Sequence, residues 1–86
     1  MANHVSAEKR ARQNEKRRER NRAVKTGVKT QIRKLNEAIA SGNKEAATAA
    51  FRDTQKALSK AASGGTLHAR NASRRIGRLA TRIAAL

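Results

Sequence analysis

The chain has 86 residues, with 21 Lys and Arg against 6 Asp and Glu and a formal net charge of +15 at pH 7. Alanine supplies 18 of its 32 hydrophobic residues, so one domain is the most it can form, and a marginal one unless a partner adds stability. The absence of cysteine excludes disulfide frameworks, thiolate zinc sites and cysteine nucleophiles, and no run approaches the roughly 18–20 apolar residues of a membrane span.

With no proline, and with Ala, Lys, Arg, Glu and Gln plentiful, the expected fold class is all-α. A first helix is predicted over about 6–40. Its apolar stripe of Val24, Val28, Ile32, Leu35 and Ile39 begins only at Val24. Residues 6–23 carry just Ala7, Ala11 and Ala23 as apolar side chains, and as helix they would extend about 27 Å beyond the packed part. Helix propensity alone holds such a segment poorly, so fraying is expected without a partner.

Ser41-Gly42-Asn43 reads as a glycine stop followed by a cap. A second helix follows over 44–62, with Ala47, Ala50, Phe51, Thr54, Leu58 and Ala61 on one face. Ser63-Gly64-Gly65-Thr66 reads as the next break, with Thr66 as the expected cap of a third helix over 67–85. That helix carries Ala72, Ile76, Leu79, Ile83 and Leu86 at core spacing. Short loops make neighbours antiparallel, so residues 1–86 are expected to form one three-helix bundle with an extended, basic first helix. Each apolar stripe is core rather than function.

The charge is unevenly spread. Residues 1–34 carry twelve basic and three acidic side chains, residues 35–65 four and three, and residues 66–86 five and none. Lys9, Arg10, Arg12, Lys16, Arg17, Arg18, Arg20 and Arg22 take nearly every azimuth of the projecting segment. Arg18, Arg22, Lys25, Lys29 and Arg33 then continue as one stripe about 100° round from the apolar one. Pairs such as Glu15–Arg18 and Glu19–Arg22 cannot neutralise this excess. In the third helix Arg70, Arg74, Arg78 and Arg82 recur every four residues, with Arg75 alongside. Arginine's planar fork can bridge two phosphate oxygens, whereas lysine acts as a point charge.

These faces point to a polyanion. With Phe51 as the one aromatic, base-stacking platforms are excluded. Gln13, Asn14 and Asn21 make a weak case for base-edge reading. Phosphate and sugar contacts over a folded shape match better, which favours structured RNA. His68 can cap, pack or touch phosphate. His4 and His68 lack the company of a metal site, Asp53 and scattered serines make no triad, and Gly64-Gly65 is no P-loop. No enzyme activity, metal, cofactor, small-molecule substrate or membrane contact is expected, nor homo-oligomerisation. The N-terminus lacks a secretory apolar stretch, and Glu8, Glu15 and Glu19 come too early for a transit peptide, so the chain is expected to start near residue 1 and to work in the cytoplasm.

Met1-Ala2-Asn3-His4, Ser6-Ala7-Glu8-Lys9-Arg10 and Gln13-Asn14-Glu15-Lys16-Arg17-Arg18 resemble the opening of the bacterial small-subunit ribosomal protein S-twenty family. Arg20-Asn21-Arg22, Val28-Lys29-Thr30, Gly65-Thr66-Leu67-His68, Ala72, Arg74 and Arg78-Leu79 extend the likeness over nearly the full chain. Val5 and Ala69 depart from the lysines usual in that family, as Ile76 and Gly77 depart from a basic residue and a serine. The resemblance implies a three-helix bundle bound to 16S rRNA early in 30S assembly. It also implies contacts to the 5′ domain and the penultimate helix through basic faces. The third helix would then present Arg70, Arg74, Arg75 and Arg78 to a second RNA surface, and Arg74→Ala with Arg78→Ala is expected to weaken binding more than charge removal at Lys44 and Lys60. Two other classes compete: a nucleoid-type protein coating duplex DNA without sequence preference, and a disordered cationic chaperone that anneals any RNA.

Overall fold

Thirty-nine residues with no proline, and glycine only at Gly27, form α1, Ala2–Ala40. The computed structural model describes residues 2–86, with side chains from Ser6 onward; Met1 and the side chains of residues 2–5, His4 among them, lie outside the described residues. The helix starts four residues ahead of the expected 6, since nothing in 2–5 interrupts a helical backbone. It stops at Ser41 and Gly42, whose amides donate to the carbonyls of Glu37 and Ile39 at 3.0 Å each. Gly42 has φ +75°, a left-handed conformation that costs glycine no Cβ clash.

The second helix, α2, spans Lys44–Ser63. The Asn43 side chain accepts from the Ala46 amide at 3.1 Å and caps it. At its far end the amides of Thr66 and Leu67 both donate to the Ala61 carbonyl, at 2.9 and 3.2 Å. Those two residues therefore belong to the turn. The third helix, α3, is Ala69–Ala84, and its cap is His68 rather than Thr66. His68 Nδ1 accepts from the Arg70 amide at 3.2 Å, while the Thr66 hydroxyl donates to Asn21 Oδ1 on α1 at 3.2 Å. The expected start at 67 fails because residues 66 and 67 are spent on closing α2.

In the bundle α2 packs against both α1 and α3. Leu35 and Leu58 are wholly buried, among Val28, Ala47, Ala61, Ala72, Leu79 and Ile83. Thr54 is buried with them, its hydroxyl 2.9 Å from the Ala50 carbonyl and 3.2 Å from the Gln31 carbonyl, which ties α2 to α1. Among the described residues no buried side-chain nitrogen or oxygen lacks a partner.

The radius of gyration is 17.5 Å, against about 12 Å for a compact chain of this length. The cause is α1, whose length of about 58 Å accounts for most of the 63 Å long axis. Every side chain from Ser6 to Ala23 is exposed, and burial begins at Val24. Among the described side chains, those from Ser6 to Lys16 thus belong to an arm that stands clear of the bundle.

Gly27 and Gly77 sit inside α1 and α3 with open space where a Cβ would go. Glycine in a helix interior costs roughly 0.5–1 kcal/mol relative to alanine. Gly27→Ala and Gly77→Ala are each expected to raise the stability of the free chain by about that amount, read as a shifted urea midpoint. Loss of stability in either variant would show that the glycine serves the fold.

Candidate nucleic-acid interface

All 21 lysines and arginines are exposed, so the surface carries the net charge undiluted. Arg18 lies 4.0 Å from Glu15, with both side chains more than 60% exposed, a geometry worth little in water. Glu19 and Arg22, which the same spacing could pair, do not pair. The arm therefore presents Lys9, Arg10, Arg12 and Lys16 to solvent with its cationic excess intact.

On α3 the arginines divide into two groups. Advancing 100° per residue from the buried Ala72, Leu79 and Ile83 places Arg75, Arg78 and Arg82 on the flank toward α1, and Arg70 and Arg74 opposite the core. Accordingly Arg75, Arg78 and Arg82 line a groove between α1 and α3, floored by Ile32, Asn36 and Leu79, with a volume of about 360 Å³. An adjoining hollow of about 540 Å³ shares Ile32, Asn36 and Arg75 and adds Lys29, Arg33 and Glu37 from α1. The stripe on α1 and the arginines of α3 are thus not two separate surfaces. They meet along one groove with cations on both banks. The expected second surface is left to Arg70 and Arg74.

Two of these arginines are held in place. Arg82 Nη1 donates to Asn36 Oδ1 across the α1–α3 gap at 2.7 Å, and Arg75 Nε donates to Asn71 Oδ1 at 3.1 Å. A tethered guanidinium keeps its remaining N–H groups for an anion and loses less rotamer freedom when it binds. Sequence reading did not find Asn36 or Asn71; an asparagine four residues before an arginine on one helix is the only sign of the second.

A second row of cations starts where the arm meets the bundle. Arg18, Arg22, Lys25 and Lys29 border a shallow hollow on α1 with Asn21 and Thr26. His68 is exposed, but its Nδ1 is committed to the cap of α3, leaving only Nε2 for a ligand. Phe51 is half-buried against the core and offers no stacking face. No group of three or more His, Asp or Glu converges among the described residues, and no helix there is long and apolar enough to cross a membrane.

Fold and surface together define a class: a small helical protein that offers fixed cations, without aromatic platforms, to a nucleic-acid backbone. The family model described as ribosomal protein S20 matches residues 2–84, and the chain belongs to that family. A small ribosomal subunit protein bS20 from Ruegeria sp. (strain TM1040) is 54% identical over 86 residues, covering all of this chain and 99% of the relative. That of Anaeromyxobacter sp. (strain K) is 55% identical over 80 residues, 93% of this chain and 88% of the relative. That of Syntrophobacter fumaroxidans is 51% identical over the full length of both. The chain is accordingly a structural constituent of the small ribosomal subunit, residing with the ribosome in the cytoplasm and associated with its rRNA, and its family is not one of enzymes.

Proposed function

We propose that the protein binds 16S rRNA directly as a monomer and holds separate rRNA segments together during assembly of the 30S subunit. The resemblance points to the 5′ domain and the penultimate helix as those segments. Residues 1–86 act as one binding domain. Arg10, Arg12, Lys16, Arg17, Arg18, Arg20, Arg22, Lys25 and Lys29 contact phosphates along α1. Arg75, Arg78 and Arg82 contact phosphates at the α1–α3 groove together with Arg33, while Arg70 and Arg74 reach RNA on the far side of α3.

The observation that carries this reading is the groove, where cations of two helices converge around tethered guanidinium groups. A-form RNA is recognised through shape, phosphates and 2′-hydroxyls, and fixed cations at fixed separations select for such a shape. Neutralising phosphates on both sides lets RNA segments that repel one another lie close.

The test compares two charge-matched double variants. Arg75→Ala with Arg78→Ala removes two groove cations, and Lys44→Ala with Arg52→Ala removes two from the outer face of α2. The groove pair is expected to weaken rRNA binding by about tenfold or more, since hydrogen bonds to charged groups contribute roughly 1.5–3 kcal/mol. The α2 pair should cost far less. Equal losses would reduce the reading to bulk charge.

A further inference from the structure

The azimuth that buries Val28 and Leu35 in the bundle, with Val24 partly buried ahead of them, continues toward the N-terminus of α1 through Asn21, Arg20 and Arg17. Where the core ends, cations take its place on the same side of the helix. They face the turn between α2 and α3. Arg17, Arg20, Asn21 and Val24 line one side of a pocket there, and Lys60, Gly64, Gly65 and Thr66 line the other, around about 420 Å³. That volume falls within the roughly 300–1,000 Å³ of ordinary ligand sites.

Three of the eight lining residues are cationic and none is acidic. The turn closes the pocket without filling it. Gly65 has φ +79°, which disfavours any side chain there, and the space beside its Cα is open. Next to it, Gly64 also leaves that wall as bare backbone. The Thr66 hydroxyl donates to Asn21 Oδ1 at 3.2 Å, fixing the turn to α1 and leaving the Asn21 Nδ2 hydrogens unspent.

One contribution opposes an anion: the C-terminal end of α2 carries the negative end of the helix dipole. Its carbonyls at Lys60, Ala61 and Ala62 are already taken by the amides of Gly64, Thr66, Leu67 and Gly65. A dipole equivalent to roughly half a charge, so capped, is outweighed by three full cations.

We infer that this pocket is a phosphate site, closed by Lys60 and filled in the subunit by a phosphodiester of the RNA. The inference rests on the proposed function for the source of the phosphate, though not for the site itself. Lys60 comes from the nearly neutral middle of the chain, residues 35–65, with four basic and three acidic side chains. An anion held between Arg17, Arg20 and Lys60 bridges α1 to the α2–α3 turn. It therefore sets the direction in which the arm leaves the bundle.

The experiment has two arms. Amide resonances of the full chain are followed during titration with inorganic pyrophosphate. Gly64, Gly65 and Thr66 are expected to shift together and saturate, and Lys60→Met is expected to abolish that saturation. Shifts spread along the arm without saturation would overturn the site.

Binding of 16S 5′-domain RNA is then measured across a salt series for Lys60→Met and, as a control, Lys44→Met. Lys60→Met should weaken binding several-fold and flatten the slope of log K against log salt by about one; Lys44→Met should leave both alone. Both lysines are exposed, and equal helicity by circular dichroism will show that neither substitution disturbs the fold. Saturation by pyrophosphate with RNA binding unchanged in Lys60→Met would keep the site and reassign its occupant to a free phosphate. If the unaltered protein fails to bind the RNA, the proposed function falls, while the pyrophosphate arm still decides the pocket.

Discussion

Leu58→Ala is expected to leave the free protein largely unfolded, and saturating rRNA is expected to restore its helicity. Leu58 is wholly buried on α2, the helix that packs against both others. Leucine-to-alanine changes at such positions cost about 2–5 kcal/mol. A domain of this length has roughly 4–13 kcal/mol of stability in total, and this one belongs near the bottom of that range. Three of its eight buried apolar residues are alanine, and a net charge of +15 repels itself. RNA at a hundred times its dissociation constant returns about 2.7 kcal/mol by binding only the folded chain. Circular dichroism with and without RNA reads both halves. As a control Leu86→Ala, at a residue 40% exposed, should change stability by less than about 0.5 kcal/mol. A melting profile for Leu58→Ala equal to that of the unaltered chain would contradict the assigned core.

Removing residues 1–16 is expected to have the opposite effect: the fold should survive and binding should suffer. Every described side chain from Ser6 to Lys16 is exposed, and the nearest tertiary tie of α1, Asn21 to Thr66, lies beyond the cut. The melting temperature should therefore move by only a degree or two. Lys9, Arg10, Arg12 and Lys16 go with the segment. At roughly 0.7–0.9 per phosphate neutralised, the slope of log K against log salt should become shallower by about 3. Affinity should fall about tenfold or more at moderate salt. An unchanged slope would mean that the arm touches no phosphates.

These two variants separate what could be read in the sequence from what could not. Stripes such as Val24–Val28–Ile32 and Ile76–Leu79–Ile83 depend on local period, so the all-α three-helix architecture follows directly from them. The cap of α2 at Asn43 is equally local. The start of α3 is not, because the Thr66 hydroxyl is claimed by Asn21, 45 residues away, and the cap passes to His68. Packing also decides which arginines of α3 share a groove with Lys29 and Arg33. A spacing of four residues relates Arg70, Arg74, Arg78 and Arg82 to one another without showing which of them faces α1. Lys60 could not be picked out for the same reason: its neighbours Arg17 and Arg20 are supplied by the turn geometry and lie some forty residues earlier in the chain.

One titration tests the central claim most directly. The full chain is bound to 16S 5′-domain RNA at roughly 0.2–0.3 M salt, where weak non-specific binding fades, with excess duplex DNA present. Tight, saturable one-to-one binding that survives the DNA is the predicted result. Binding erased by the DNA would contradict it, and would make the cationic groove a general polyanion surface instead of a site for one folded RNA.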